Sequence, residues 1–209
     1  SIPDAVQFDE ADVTELVRHR EKEKANAEKL GVKLTYLPFV MKAVVKALKK
    51  FPKFNSSLDE EKQEIVLKGY YHLGIATDTP EGLMVPVVRD VDKKSILQIA
   101  KELHELTEKA RERKIALQDL KGQTFTVTSV GNLGGTHFVP IINRPDVAII
   151  GVPKFEKKVR VMENDQIAIR SVGTLSLAFD HRIIDGADAA RFLSEVIKYL
   201  EDPDLLLIE

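Results

Sequence analysis

Leu175-Ser176-Leu177-Ala178-Phe179-Asp180-His181-Arg182-Ile183-Ile184-Asp185-Gly186 is the stretch on which the fold turns. Leu175, Leu177 and Phe179 place apolar side chains at every second position, the period of a strand with one buried face. The strand reading extends back to Gln166. Beyond the stretch, residues 187–200 read as a helix closed by Asp202-Pro203. A strand end is a rigid platform from which side chains project outside the sheet. His181 stands there, and imidazole ionises at about pH 6.5, close to neutrality. Asp185, four residues on, can orient the ring. Plainer readings compete. One His among five is commonly structural or solvated. Asp185 can be the N-cap of the last helix, and Asp180 with Arg182 can be an ordinary ion pair.

Working outward, Phe125–Val130, Val147–Val152 and Lys157–Glu163 also read as strands. Asn164-Asp165 is a turn signal that joins the last of these to Gln166–Phe179 as a hairpin. In the first half, residues 5–13 alternate as a strand. Thr14 reads as the N-cap of a charged helix to about Leu30, with Gly31 as its stop. Thr35 reads as the cap of a second helix, whose stripe is Phe39, Val40, Ala43, Val44, Ala47 and Leu48. Phe51-Pro52 ends it. Three short strands follow, Glu64–Leu67, Tyr71–Ala76 and Leu83–Val88, separated by Gly69 and by Thr79-Pro80-Glu81-Gly82. Ser95 caps a long helix to about Arg113, and Lys114 to Gly122 is a connector. Strands and helices mix without strict alternation. This predicts an α+β fold, a large mixed sheet with helices packed on one side, as a single domain over residues 1–209. No glycine-rich phosphate loop precedes the long strands, which argues against a dinucleotide fold.

Composition narrows the function classes. A chain of 209 residues can bury a sizeable core unaided. It has no cysteine, so disulfides, cysteine nucleophiles and thiolate metal sites are excluded. With 31 basic against 33 acidic residues, no surplus of positive charge points to nucleic acid. No apolar run approaches the ~20 residues of a membrane span. The abrupt start at Ser1-Ile2-Pro3 carries no signal-peptide pattern and looks like a cut domain boundary.

Two further stretches bear on chemistry. In Thr126-Val127-Thr128-Ser129-Val130-Gly131-Asn132-Leu133-Gly134-Gly135, a hydroxyl pair ends a strand and glycines follow. Plain turn geometry explains it. So does an oxyanion donor, Thr128 or Ser129, beside a passage lined by Gly131, Gly134 and Gly135. Residues 77–88 are explained by a strand, a turn and a strand. His19, His72 and His104 receive no role. His137, just after the glycines, is of slightly more interest.

His181 with Asp185 and Gly186 matches the His-x-x-x-Asp-Gly signature of acyltransferases related to chloramphenicol acetyltransferase. With Asp180 before and Arg182 after, the chain resembles the dihydrolipoamide acyltransferase core of 2-oxoacid dehydrogenase complexes. Residues 10–14, 34–39, 82–87, 128–131, 140–145 and 205–208 agree in order, so the resemblance covers essentially the whole chain.

The resemblance implies transfer of an acyl group between the thiols of dihydrolipoamide and coenzyme A. His181 is then the general base. Thr128 is the hydroxyl that steadies the tetrahedral oxyanion, with Ser129 as the alternative. Asp185 has an orienting role, and Asp180, Arg182 and Gly186 support the site. No metal is implied. The implied assembly is a homotrimer with active sites between subunits, built into a cubic or icosahedral core partly through the Leu205–Ile208 tail. The implied partners are a lipoyl domain, a 2-oxoacid decarboxylase and dihydrolipoamide dehydrogenase. The implied location is the cytoplasm, or the mitochondrial matrix in a eukaryote. The lipoyl and peripheral-subunit-binding domains are missing from residues 1–209. The N-terminal arm is short, and Pro3-Asp4 stands where many relatives have Pro-His. Two rival readings are a silent structural paralogue and a small-molecule acetyltransferase. Retention of His181, Asp185 and Thr128 argues against the first, and the blocks outside the motif argue against the second.

Overall fold

The computed structural model describes residues 2–131 and 134–208; Ser1, Asn132, Leu133 and Glu209 lie outside the described residues. The chain opens with β1 (Asp4–Asp12), α1 (Thr14–Lys29) and α2 (Leu37–Lys50). Short strands follow: β2 (Ser56–Asp59), β3 (Glu64–Leu67), β4 (Leu73–Thr79), β5 (Gly82–Met84) and β6 (Val87–Val88). Then come α3 (Ile96–Arg111), β7 (Phe125–Ser129), β8 (Ala148–Val152), β9 (Glu156–Val161), β10 (Ile167–Asp180) and α4 (Gly186–Glu201).

Among the described residues the strands form one 8-stranded sheet in the order β1-β10-β8-β7-β4-β5, with β6 on β4 and β9 on β10. β2 and β3 make a separate ribbon. The sheet is mixed: β7 runs parallel to both β4 and β8, while β10 is antiparallel to β1, β8 and β9. The helices pack on one face. Leu175, Leu177, Phe179, Ile150, Phe125, Val127 and Leu73 from the sheet are buried together with Phe39, Val44, Ile99 and Phe192 from the helices. Phe192 anchors α4, stacking on Phe54 at 4.1 Å and lying 5.8 Å from Phe125. Truncating an aromatic in such a place typically costs about 3–5 kcal/mol. Among the described residues the opposite face carries a small cluster of Ile142, Ile149 and Ala178. Phe8, Val139 and Ile141 stay exposed on the molecule, Ile141 at 85%.

The expected architecture is therefore present, with local corrections. Thr14 is the first residue of α1, not its cap, because its hydroxyl is engaged by the Asp12 carboxylate and the Ser171 N–H. Thr35 does not cap α2, which starts at Leu37 behind Tyr36 with Pro38 in its first turn. Ser95 does cap α3, in a reciprocal box with Gln98. The strand expected over 83–88 is broken into β5 and β6 around Val85-Pro86. Asn164 and Asp165 both take positive φ, as the hairpin turn between β9 and β10 demands. The apolar tail is half docked: Leu206 is buried, whereas Leu207 and Ile208 are exposed. Lys46 holds the tail through the Leu205 carbonyl at 3.0 Å.

Candidate active site

His181 lies one residue beyond β10, on a tight turn into α4. The Asp180 carbonyl accepts the N–H groups of Ile183 and Ile184 at 3.1 and 3.0 Å, which closes the turn. Ile183 and Ile184 are buried and pin it to the core, so His181 and Arg182 sit exposed at its tip. The His181 N–H donates to the Pro3 carbonyl at 2.9 Å, and its ring lies 5.7 Å from the Phe179 ring. Among the described residues the imidazole has no hydrogen-bond partner, so both ring nitrogens are open to an incoming group.

Beneath the turn, Asp180 is 2% exposed and receives Arg182 Nε at 3.0 Å, Arg182 Nη2 at 2.7 Å and the Arg182 N–H at 3.0 Å. Burial pushes the Asp180 carboxyl up, but the Arg182 hydrogen bonds and charge outweigh it and hold the group below the ordinary carboxylate range. The ion-pair reading of these two residues is thus correct, and it fixes the turn. Asp185 is the N-cap of α4: its carboxylate accepts the Asp188 N–H at 2.8 Å, which lowers its pKa. Among the described residues no hydrogen bond joins Asp185 to the His181 ring, so within one chain Asp185 acts on the helix that follows. Gly186 begins α4, with open space where a Cβ would stand.

Thr128 and Ser129 end β7 and point to opposite faces. Phe125 and Val127 face the helices, and Ser129, in step with them, lines cavities with Thr35 and Leu37 on that side. Ser129 Oγ accepts the Gly131 N–H at 3.3 Å. Thr128 is half-buried on the open face, and among the described residues its hydroxyl has no partner. Gly134 and Gly135 have φ of +101° and +90°, a region that strains other residues. The loop after Thr128 therefore depends on both. Gly131 keeps ordinary φ beside the Pro153 carbonyl.

The chain does not bring its two sharpest candidates together. Thr128 pairs with Gly151, and Gly151 with Ser176. His181 lies five residues further along the chain, at the other end of the sheet. At about 3.3 Å per residue and 4.8 Å per strand, the two are roughly 20 Å apart.

Asp146 is a feature that the sequence reading missed. It is 3% exposed, and its Oδ2 accepts the Thr126 hydroxyl at 2.5 Å while Oδ1 is buried without a partner. Burial raises its pKa to about 7 against the opposing Thr126 hydrogen bond. One signal was available: an acidic residue directly abutting the wholly apolar run Val147–Val152. His72 is structural, its Nδ1 accepting the Asp90 N–H at 3.0 Å. His137 is exposed beside Thr136, 6.4 Å from the Phe8 ring.

The model of the family "2-oxoacid dehydrogenases acyltransferase (catalytic domain)" matches residues 1–208. The chain is 46% identical over 207 residues to the dihydrolipoyllysine-residue acetyltransferase component of pyruvate dehydrogenase complex from Bacillus subtilis. That match covers 99% of this chain and 47% of the relative, so the chain spans about half the relative's length. Among solved structures, Azotobacter vinelandii dihydrolipoamide acetyltransferase superposes with a TM-score of 0.96 at 48% identity, over 100% of this chain and 85% of that one. It was investigated for the role of a serine, a histidine and an asparagine in its catalytic mechanism. The cubic core of a pyruvate dehydrogenase multienzyme complex also matches with a TM-score of 0.96, at 47% identity and the same coverage. A chloramphenicol acetyltransferase, 16% identical, shares the fold at a TM-score of 0.62 over 95% of this chain and 89% of that one.

Proposed function

Because the chain belongs to the family of 2-oxoacid dehydrogenase acyltransferase catalytic domains, we propose that residues 1–209 are one catalytic domain that moves an acyl group between dihydrolipoyl and coenzyme A thiols. The names of the relatives favour acetyl as that group. A thiol with a pKa of about 8.5 is mostly protonated at neutral pH, and only its thiolate attacks readily. His181 takes the proton from the attacking sulfur as the new carbon–sulfur bond forms. The thioester carbonyl becomes an oxyanion, and the Thr128 hydroxyl donates to it, an interaction worth about 3 kcal/mol in comparable sites. On collapse the old carbon–sulfur bond breaks, and His181 returns the proton to the departing sulfur.

One observation carries this reading. Among the described residues His181 and Thr128 have no side-chain hydrogen-bond partner, and they stand at opposite ends of one sheet. A shared site between copies joins the His181 end of one to the Thr128 end of the next. Exposed Phe8 on the uncovered sheet face, with exposed Val139 and Ile141 of the loop between β7 and β8, supplies an apolar contact for a homotrimer. A cavity of about 360 Å³ on the Ser129 side of β7, lined by Tyr36, Lys154, Phe155 and Lys157, offers cations suited to the phosphates of coenzyme A at the end of the strand that carries Thr128. The lipoyl group arrives from the opposite end, carried by a separate domain. Trimers join into a larger core through Leu207 and Ile208.

The test is complementation. His181→Ala should lower transfer by about 10²–10⁴-fold without changing the trimer mass, and Thr128→Ala by about 10²-fold. Unfolded together and refolded as mixed trimers, the two variants should regain part of the lost activity, because some interfaces then hold both wild-type groups. Full activity in His181→Ala would overturn the base assignment. Absence of complementation in confirmed mixed trimers would overturn the shared site.

A further inference from the structure

The β2–β3 ribbon has no strand partner in the main sheet, and every residue of β3 is exposed. A lone two-stranded ribbon is marginal in water, so its placement comes from Leu58 of β2, which packs against the main core, and from its ends. At its base, buried Asn55 donates to the carbonyls of Lys68 and Tyr70 at 3.0 and 2.9 Å. At its tip, Asp59 Oδ1 accepts the N–H groups of Glu61 and Lys62, and Gln63 Nε2 donates to the Glu60 carbonyl at 2.7 Å. The tip is thus internally held, and it presents Glu60. Arg182 Nη1 donates to Glu60 Oε1 at 3.0 Å, across 122 residues of chain. Arg144 Nη2 approaches the same oxygen at 3.7 Å. Arg182 has spent Nε and Nη2 on Asp180, so Glu60 takes the outward end of the guanidinium. The Arg182 hydrogen bond, with the Arg144 charge behind it, holds the Glu60 carboxyl below the ordinary range.

Resting on the reading of His181 as the base, we propose that Glu60 is a positioning residue for acyl transfer. The ribbon tip closes a clamp on Arg182 from outside while Asp180 holds it from beneath, and His181 is the residue between the two held positions. Glu60 touches neither substrate nor imidazole. It restricts the turn, and through the turn it sets the aim of the ring toward the neighbouring copy.

The experiment is a kinetic cycle on the assembled protein with coenzyme A and dihydrolipoamide. Glu60→Gln should lower kcat about fivefold, the scale of one partly exposed ion pair, with KM for coenzyme A unchanged. Glu60→Asp should recover part of the loss. In an Arg182→Lys background the Glu60→Gln loss should vanish, since the route runs through that guanidinium. Salt near 1 M should bring wild-type kcat down toward that of Glu60→Gln, because an exposed pair is screened. Wild-type kcat in Glu60→Gln, or an undiminished loss in the Arg182→Lys background, overturns the proposal. Should Arg182→Lys fail to fold, the salt series decides alone, and equal salt responses of wild type and Glu60→Gln overturn it. An inactive His181→Ala beside a normal Glu60→Gln removes only the clamp. An active His181→Ala removes the catalytic reading itself.

Discussion

At the scale of single residues, buried charge is the most telling feature. Asp180 and Asp146 are both nearly inaccessible, but only Asp180 has an arginine. Their titrations therefore run in opposite senses. Asp180 ionises more easily in the folded chain than in the unfolded one, so its contribution is present above about pH 4 and is lost as pH falls further. Asp146, pushed up to about 7, holds a proton in the folded chain that the unfolded chain releases near 4. The contribution of Asp146 to stability consequently declines as pH rises from about 4 to 7, by on the order of 4 kcal/mol at most. Asp146→Asn keeps an acceptor for Thr126 and removes the ionisation. It should raise the melting temperature at pH 8 and leave it nearly unchanged at pH 4.5. Equal shifts at both pH values would show that the carboxyl does not ionise in this range. His181 drew attention at this scale because it ends an apolar strand, and its proposed role as base came from the motif resemblance. Asp146 was not, since burial of a carboxyl is a tertiary fact with only a weak local signal.

At the scale of elements, the strongest periodicities were read correctly and the failures have identifiable causes. α3 has both an apolar stripe and a true cap, and Ser95→Ala should lower stability by about 1 kcal/mol in chemical denaturation, with transfer activity retained. A null effect would mean that Gln98 alone secures the first turn. Thr14 and Thr35 are the same kind of residue in the same kind of place, but they do not cap. Thr14 is drawn to Asp12 and Ser171, a contact across 157 residues that no local pattern contains. β2 was missed because Ser56-Ser57-Leu58-Asp59 lacks apolar alternation and pairs only with β3. The glycine pair at 134–135 was seen, but two explanations fitted it, and the positive φ of both residues accounts for the turn geometry.

At the scale of the whole molecule, surface left uncovered on one chain points to other copies of it. Leu207 and Ile208 are exposed at 62% and 63% beside a cavity of about 860 Å³ lined by Lys42, Lys46, Lys49, Ile96 and Leu206. A tail next to a cavity on the same surface is the arrangement that two-fold contacts use, each copy both giving and receiving. Leu207→Glu should reduce the mass seen by light scattering to that of a trimer, while transfer to free dihydrolipoamide continues. An unchanged mass would place the contact between trimers elsewhere. The separation of His181 from Thr128 has a further bearing on how such a catalyst behaves. On the shared site proposed above, neither end of the sheet carries a complete set of groups, so competence would depend on encounter between copies, and dilution would abolish it while every fold stays intact. Adhesion of its faces would then matter to the reaction as strictly as the histidine itself.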